Sequence, residues 1–198
     1  MTQVFQIIVL ILSAVIHEYL HGYVAHQQGD DTAKNAGRLT LNPLAHLEWF
    51  GSFFLPLMMV LSQMPFLIAW AKPVPYNPYN LRDRKYGEAK VAIAGALGNI
   101  AIALFFGLCL RFLPYMSLTF SGLLSIIIYI NILLAVFNLL PIPPLDGSKV
   151  IALFMSPRVK EKYLRSERIG FVFVIIVVMI LPGIISIPVN FLFNLIAG

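Results

Sequence analysis

Residues 4–25 read VFQIIVLILSAVIHEYLHGYVA, an apolar run that ends in two histidines and a glutamate. The hydrocarbon core of a bilayer takes about 20 apolar residues of helix, so this run is long enough to cross a membrane. The rest of the chain is similar, because 59% of the 198 residues are hydrophobic and 12% are charged. A typical soluble domain has about 25% charged residues, so the composition excludes a water-soluble globular protein.

Four further apolar runs follow the first, at residues 50–71, 91–112, 119–140 and 170–197. They predict an all-α polytopic membrane protein, with about four to six transmembrane or re-entrant helices around a buried metal site. No polar stretch is long enough for a separate soluble domain, so residues 1–198 are predicted to form one integral-membrane domain.

The run at 50–71 differs from the others because it holds Pro56 and Pro65. Proline removes a backbone donor and clashes with the preceding turn of a helix, so we predict a re-entrant segment here. The last run, 170–197, is interrupted at Pro182 and again at Pro188. It is consistent with either one kinked span or a tight pair of half-helices.

The basic residues indicate which side of the membrane each loop faces, because cytoplasmic loops carry an excess of Lys and Arg. The chain has 14 Lys and Arg residues and a net charge of +5. If 50–71 is re-entrant, 13 of the 14 lie on one side and only Arg111 lies on the other. We therefore expect a multi-pass protein of a prokaryotic cell membrane, with loops 26–48, 72–90 and 143–169 in the cytoplasm. Charges spread over loops in this way do not predict a nucleic-acid partner.

The polar end of the first run contains a metal-binding pattern. His17 and His21 are four residues apart, so their imidazoles project from one helical face and can reach a single ion. Glu18 between them is placed to take a proton from a water molecule beside that ion. The alternative is a polar helix end at the membrane interface, but such ends favour Lys, Arg, Trp or Tyr. We predict a catalytic zinc site with one Zn²⁺ per chain.

A catalytic zinc site usually has three protein ligands and one open position. Asp146 is the candidate for the third, because it follows three prolines, between residues 141 and 144, that end the fourth run. Irregular backbone survives at membrane depth only where it lines a cavity or is buried in protein. A simple helix stop with an interfacial aspartate is the alternative. One ion can join Asp146 to the two histidines only if both helices end on the same face, which a re-entrant segment at 50–71 provides.

Three motifs stand out along the chain: His17-Glu18-x-x-His21, Ala94-Gly95-Ala96-Leu97-Gly98-Asn99, and Asn138-x-x-Pro141-x4-Asp146-Gly147. Together they resemble the site-2 protease family of intramembrane zinc metalloproteases, in particular its compact bacterial or archaeal members without accessory soluble domains. The resemblance covers about residues 4–168. It implies a three-span catalytic core formed by 4–25, 91–112 and 119–147, with the zinc buried towards the cytosolic side.

The resemblance also implies a role for each motif residue. His17, His21 and Asp146 would be the zinc ligands, and Glu18 would be the general base. Asn138 would be a further catalytic group that contacts the substrate backbone or the developing oxyanion.

Two further side chains are candidate substrate-binding groups. Asn99 places an amide within a span, where the amide needs a partner and could bind an extended substrate. The alternative is that its motif, with Gly95 and Gly98, serves only the close packing of helices. His46 lies in a proline-punctuated loop directly after the first run. It could support a ligand, contact the substrate or bind the metal at rest, or it could be a polar interfacial residue.

These features predict an enzyme, a zinc-dependent endopeptidase that hydrolyses peptide bonds within or near the transmembrane segments of other proteins. The alternative is a non-hydrolytic zinc-binding membrane protein, such as a carrier or an inactive homologue. A carrier should show ionisable residues along a path through several spans, whereas the third to fifth runs hold no carboxylate inside. An inactive homologue would be expected to lose Glu18, which is present.

Overall fold

The computed structural model describes residues 2–62, 71–113 and 116–198. Within these ranges the regular secondary structure is helical, without a strand, which confirms the predicted all-α fold. A π-helical stretch (Trp49–Phe54) and short 3-10 turns (Pro43–Ala45, Pro78–Asn80, Ala152–Phe154) separate some of the α-helices. The α-helices are α1 (Thr2–Gln27), α2 (Thr32–Asn35), α3 (Leu55–Leu61), α4 (Gly87–Phe112), α5 (Leu118–Asn138), α6 (Asp146–Ile151), α7 (Pro157–Leu164), α8 (Glu167–Ile180) and α9 (Gly183–Ala197).

Helices α1, α4 and α5 are each long and apolar enough to cross a membrane. Helix α4 packs against both α1 and α5, and α1 also contacts α5. The buried face of α4 consists largely of alanine and glycine. Small residues let helix backbones approach closely in lipid, where packing rather than the hydrophobic effect holds helices together. The three helices form the core of the bundle.

The last apolar run consists of two helices. Val172–Ile180 and Gly183–Ala197 meet at a bend of 67°, next to Pro182. The pair is long and apolar enough to count as one broken span or as a re-entrant loop. Its second half packs Ile185 and Val189 against Ile128 and Ile132 of α5, so α9 extends the core on the side of α5.

The C-terminal end of α1 and the N-terminal end of α4 lie at the same end of the bundle. His21 is hydrogen-bonded to the carbonyl of Val91 at 2.7 Å, and the Gln28 side chain donates to the carbonyl of Gly87 at 3.3 Å. The stretch between these two helices, residues 29–86, therefore begins and ends at the same end of the bundle.

The predicted re-entrant segment, 50–71, lies within that stretch. Its first part forms the π-helical stretch and α3, both shorter than a full span. Residues 63–70 lie outside the described residues, so the re-entrant path remains a prediction.

Residues 71–80 lie against the last turns of α1 and the loop that follows it, and end in the 3-10 turn Pro78–Asn80; we call this segment the strap. It contains three prolines, whose fixed φ and missing N–H favour extended backbone over helix. Its start is fixed by two hydrogen bonds: the Lys72 N–H donates to the carbonyl of His46 at 2.7 Å, and the Arg38 guanidinium donates to the carbonyl of Lys72 at 2.8 Å.

Candidate metal centre

Helix α1 places two imidazoles side by side. The ring centroids of His17 and His21 are 4.6 Å apart and the ring planes are nearly perpendicular. Both residues are buried, with exposed fractions of 4% and 7%. Residues four apart lie on one helical face, one turn from each other, so the helix itself sets this spacing.

Asp146 completes the cluster from the turn that follows α5. Its Oδ2 lies 3.1 Å from Nε2 of His17 and 3.0 Å from Nε2 of His21. The turn that delivers it is tight, since a Cβ on Gly147 would overlap the carbonyls of Leu139 and Leu140. A glycine directly after the aspartate therefore allows the chain to fold back at the end of α5.

The second nitrogen of each imidazole has its own partner. The Nδ1–H of His21 donates to the carbonyl of Val91 at 2.7 Å, and Nδ1 of His17 lies 2.6 Å from Oδ1 of Asn99. Such outer partners orient the ring of a metal-binding histidine and select its tautomer. Both partners lie on α4, and they leave the two Nε2 atoms directed at Asp146.

The donor set fits zinc. Imidazole nitrogen and carboxylate oxygen are common zinc ligands at about 2.0–2.2 Å, and a tetrahedral ion with such bonds holds its ligands about 3.3 Å apart. The ligand atoms of His17, His21 and Asp146 lie within 4.8 Å of one another, and the Nε2 to Oδ2 separations are close to the tetrahedral value. Three protein ligands leave a fourth position open, as catalytic zinc sites require.

Glu18, beside the cluster, is held by the strap. One of its carboxylate oxygens, Oε2, accepts a hydrogen bond from the Val74 N–H at 2.8 Å. Val74 is buried and faces α1, where a Cβ on Gly22 would lie 2.8 Å from its side chain. The strap thus packs closely on the helix turn that follows Glu18, and it leaves Oε1 for another partner.

Comparison with known proteins gives the family. Residues 113–181 match the model for peptidase family M50. Over 184 residues the chain is 39% identical to YwhC of Bacillus subtilis, named as an inferred zinc metalloprotease, with 89% of this chain and 80% of that one covered. It is 34% identical over 155 residues to a protein of Methanocaldococcus jannaschii with the same inferred activity in its name, covering 74% and 72%.

The chain belongs to peptidase family M50, the site-2 protease family. A more distant relative, Rip2 of Mycolicibacterium smegmatis, is 26% identical over 175 residues and is also named as an inferred zinc metalloprotease; 88% of this chain and 66% of that one are covered. No solved structure matches the chain significantly. The family and the buried His17–His21–Asp146 group together give zinc as the cofactor.

In this M50 protein the other predicted site residues lie at different distances from the cluster. Asn99 is fully buried and touches it directly through His17. Asn138, at the end of α5, is half-buried and donates to the carbonyl of Leu134 on its own helix at 2.9 Å. His46 is fully buried, and its Nε2–H donates to the carbonyl of Thr40 at 2.7 Å. Its main-chain carbonyl, described above, anchors the strap.

Three residues that lie beside the metal-binding group of this M50 protein were not predicted from the sequence. Lys149 donates from Nζ to Oδ1 of Asp146 at 3.3 Å and lies 5.5 Å from the centre of the Tyr76 ring on the strap. Oδ1 of Asn131 on α5 accepts a hydrogen bond from Nδ2 of Asn99 at 2.9 Å. Asn131 carried a signal in the sequence, since an amide within an apolar run needs a partner; Lys149 and Tyr76 carried none.

Proposed function

We propose that this zinc metalloprotease is an endopeptidase that hydrolyses peptide bonds within or near the transmembrane segments of other membrane proteins. The observation that carries the proposal is the position of the donor set. His17, His21 and Asp146 converge on one point between helices that are themselves long enough to span a bilayer.

The depth of the site supports an intramembrane substrate. At 1.5 Å per residue, α1 is about 39 Å long, against about 30 Å for the hydrocarbon core of a bilayer. His17 lies ten residues before the end of α1, or about 15 Å along its axis. If the helix is centred in the bilayer, the site lies about 10 Å below the hydrocarbon boundary. A scissile bond at that depth belongs to a segment that has entered the membrane and unwound there.

Zinc at this site would act as a Lewis acid on the scissile carbonyl and would promote ionisation of the attacking water. The chain supplies the proton transfers. Glu18 is the general base that takes the proton from the water and then gives it to the leaving amine. The hydrogen bond from Val74 occupies Oε2, so Oε1 would be the oxygen available to take the proton.

Asn138 is proposed to bind the developing oxyanion or the substrate backbone. A side-chain amide has two N–H donors, and the bond to Leu134 uses one of them. The second stays available for a substrate oxygen. His46 is proposed to take part in substrate binding through the strap that it anchors.

The site is proposed to open towards the cytoplasm. The loops at the end of the bundle that holds the metal centre carry most of the 14 basic residues, and positive charge accumulates on the cytoplasmic side. Water and the released peptide would reach and leave the zinc from that side. A non-hydrolytic zinc carrier is less consistent with these features, because the metal-binding groups lie together at one depth and a base lies beside them.

The test is cleavage of a panel of single-span membrane proteins by the full chain in liposomes. Wild type should cleave at least one of them within its span, and a zinc chelator should stop the reaction. Glu18→Gln should keep about one zinc per chain and lose at least about 100-fold in cleavage rate. The amide oxygen can still accept from Val74, but the amide group turned towards the water is no longer a base.

Glu161→Gln is the matched control, because it makes the same chemical change at an exposed site of α7. It should cleave at the wild-type rate. Near-normal cleavage by Glu18→Gln would exclude Glu18 as the base, whereas loss of zinc from that variant would give Glu18 a role in metal binding instead.

A further inference from the structure

A chain of three buried polar side chains joins the metal centre to the far helix of the core. It runs from His17 on α1 to Asn99 on α4 and then to Asn131 on α5. The two bonds are 2.6 Å from Nδ1 of His17 to Oδ1 of Asn99, and 2.9 Å from Nδ2 of Asn99 to Oδ1 of Asn131. Asn99 and Asn131 are both fully buried.

Backbone carbonyls fix the direction of every bond in this chain, because they can only accept. Nδ2 of Asn131 donates to the carbonyl of Ile127 at 2.9 Å, so the side-chain oxygen of Asn131 must face Asn99. Asn99 therefore presents its nitrogen to Asn131, and that same nitrogen donates to the carbonyl of Ser13 at 3.3 Å. The amide orientations are thus set by the hydrogen-bond network itself.

The consequence reaches the metal site. With its nitrogen committed to Asn131 and Ser13, Asn99 has only its oxygen left for His17. An oxygen accepts, so Nδ1 of His17 must carry the proton. In a neutral imidazole the other nitrogen, Nε2, then has the free lone pair, and Nε2 is the atom that points at Asp146.

We propose that Asn131 and Asn99 are positioning residues for the metal centre: together they hold His17 in the Nδ1–H tautomer with Nε2 free for zinc. This inference rests on the proposed zinc ligands, and it gives Asn99 a role at the metal in place of substrate binding. Asn131 contacts neither the ligands nor the substrate and acts only through Asn99.

A role in helix packing alone does not account for this arrangement. Buried amides do help to hold helices together in lipid, and the bond between Asn99 and Asn131 joins α4 to α5 in this way. For packing, Asn99 needs only its bonds to Asn131 and Ser13. The bond to Nδ1 of His17 is not needed for packing, so the two roles predict different effects on zinc affinity.

The test compares zinc affinity in Asn99→Leu and Asn131→Leu with that of the wild-type protein in detergent. Loss of an outer partner of a metal-binding histidine typically costs about 10–100-fold in affinity. We expect the zinc affinity of Asn99→Leu to be lower than that of the wild type by a factor within that range. The loss in Asn131→Leu should lie near the lower end, at about tenfold. Asn131→Asp should recover most of the affinity, because an aspartate in either protonation state keeps an acceptor for Asn99.

Ser125→Ala is the control for α5. Ser125 also donates to a carbonyl of its own helix four residues back, at 2.9 Å, but it has no connection to His17. It should bind zinc like the wild type. The second readout is nitrogen-15 NMR of the histidine rings in zinc-free Asp146→Ala protein, where no carboxylate holds a proton on Nε2 of His17. His17 should be the Nδ1–H tautomer in that protein and should lose that preference when Asn99→Leu is added.

Unchanged zinc affinity and an unchanged His17 tautomer in both leucine variants would overturn the proposal, even if the variants were less stable. If Asn99→Leu does not fold, the comparison of Asn131→Leu with Asn131→Asp is sufficient by itself. Equal zinc affinities of these two variants would contradict the proposal. Failure of the proposed function would look different: the wild-type protein would bind zinc at these residues without cleaving any substrate, or would bind no zinc there. In either case the tautomer measurement on zinc-free protein would still test the positioning role.

Discussion

Gly95 determines how closely α4 can approach the metal centre. A Cβ at this position would lie 2.6 Å from three ring atoms of His17, nearer than real Cβ contacts. The ring cannot move aside freely, because Asn99 holds one of its nitrogens and Asp146 faces the other. The glycine motif in the third run therefore serves the metal site as well as helix packing.

We expect Gly95→Ala to displace the His17 ring and weaken zinc binding by about 10–100-fold, measured by competition with a zinc-sensitive dye. Gly122→Ala on α5 is the matched control, since among the described residues no atom outside its own stretch of helix lies within 4 Å of a Cβ there. It should bind zinc normally and gain some helix stability. Wild-type zinc affinity in Gly95→Ala would show that the ring tolerates a methyl group and that this contact is unimportant.

At the scale of single residues, the sequence predicted those side chains whose role follows from local spacing. His17 and His21 follow from the helical period, and Asp146 from the proline-rich end of the fourth run; the structure brings all three together. The partners of these ligands could not be predicted from spacing. Lys149 reaches Asp146 from the next turn of α6, and Asn131 reaches His17 through Asn99, so both depend on tertiary packing.

Among the elements, the strap is attached by hydrogen bonds at both of its ends. Its far end is held by Asp30, which accepts from the Asn77 N–H at 2.7 Å and from the Asn80 side chain at 2.9 Å. Burial favours the neutral acid, but these bonds and those from Thr32 outweigh it and hold the pKa of Asp30 below its usual range. The ionised carboxylate thus stabilises the strap.

We expect Asp30→Asn to loosen the strap at neutral pH by about 1.5–3 kcal/mol, the range for hydrogen bonds to a charged group. Because the folded pKa of Asp30 is depressed, its contribution is present above the unfolded value, about 3.9. It is lost as the pH falls through the lower folded pKa. Hydrogen exchange of the strap amides should therefore differ between variant and wild type at pH 7 and converge in acid.

Asp31→Asn is the control for this experiment, because Asp31 is exposed and bonds only His26 among the described contacts. It should leave strap exchange unchanged. A difference between Asp30→Asn and wild type that persisted below the folded pKa would mean that charge is not what Asp30 contributes.

The sequence predicted the long helices well and the short ones poorly. The run at 91–112 became α4, and the run at 119–140 became α5, each within a few residues, because an apolar stretch of span length has one stable form in lipid. The interruption at Pro182 correctly marked a break, but the bend of 67° depends on how α9 packs against α5. The strap was visible only as a proline-rich loop, since its course depends on distant acceptors such as Glu18 and Asp30.

At the scale of the whole molecule, the bundle brings together the ends of α1 and α5 and the start of α4 at one face. The sequence predicted this convergence from the need of one ion to reach both histidines and Asp146. It did not establish the path of residues 50–71, because proline content alone cannot distinguish a re-entrant hairpin from a bent span.

Cysteine labelling from each side of the membrane tests that path. In a Cys109→Ser background, Lys34→Cys and Lys85→Cys should both react with an impermeant reagent from the cytoplasm, and Ser117→Cys only from outside. The reason is that α1 ends and α4 begins at the same face of the bundle. Reaction of positions 34 and 85 from opposite faces would require a full crossing at 50–71 and a different arrangement of the metal ligands.

The central claim, a zinc site built from His17, His21 and Asp146, is tested most directly by zinc content and X-ray absorption of the purified full chain. We expect about one zinc per chain, coordinated by two imidazole nitrogens and oxygen without sulfur, at about 2.0–2.2 Å. Asp146→Ala should lose most of the metal, because Oδ2 is the atom that both Nε2 nitrogens face. Zinc bound through the sulfur of Cys109, or retained with unchanged affinity in Asp146→Ala, would contradict this account.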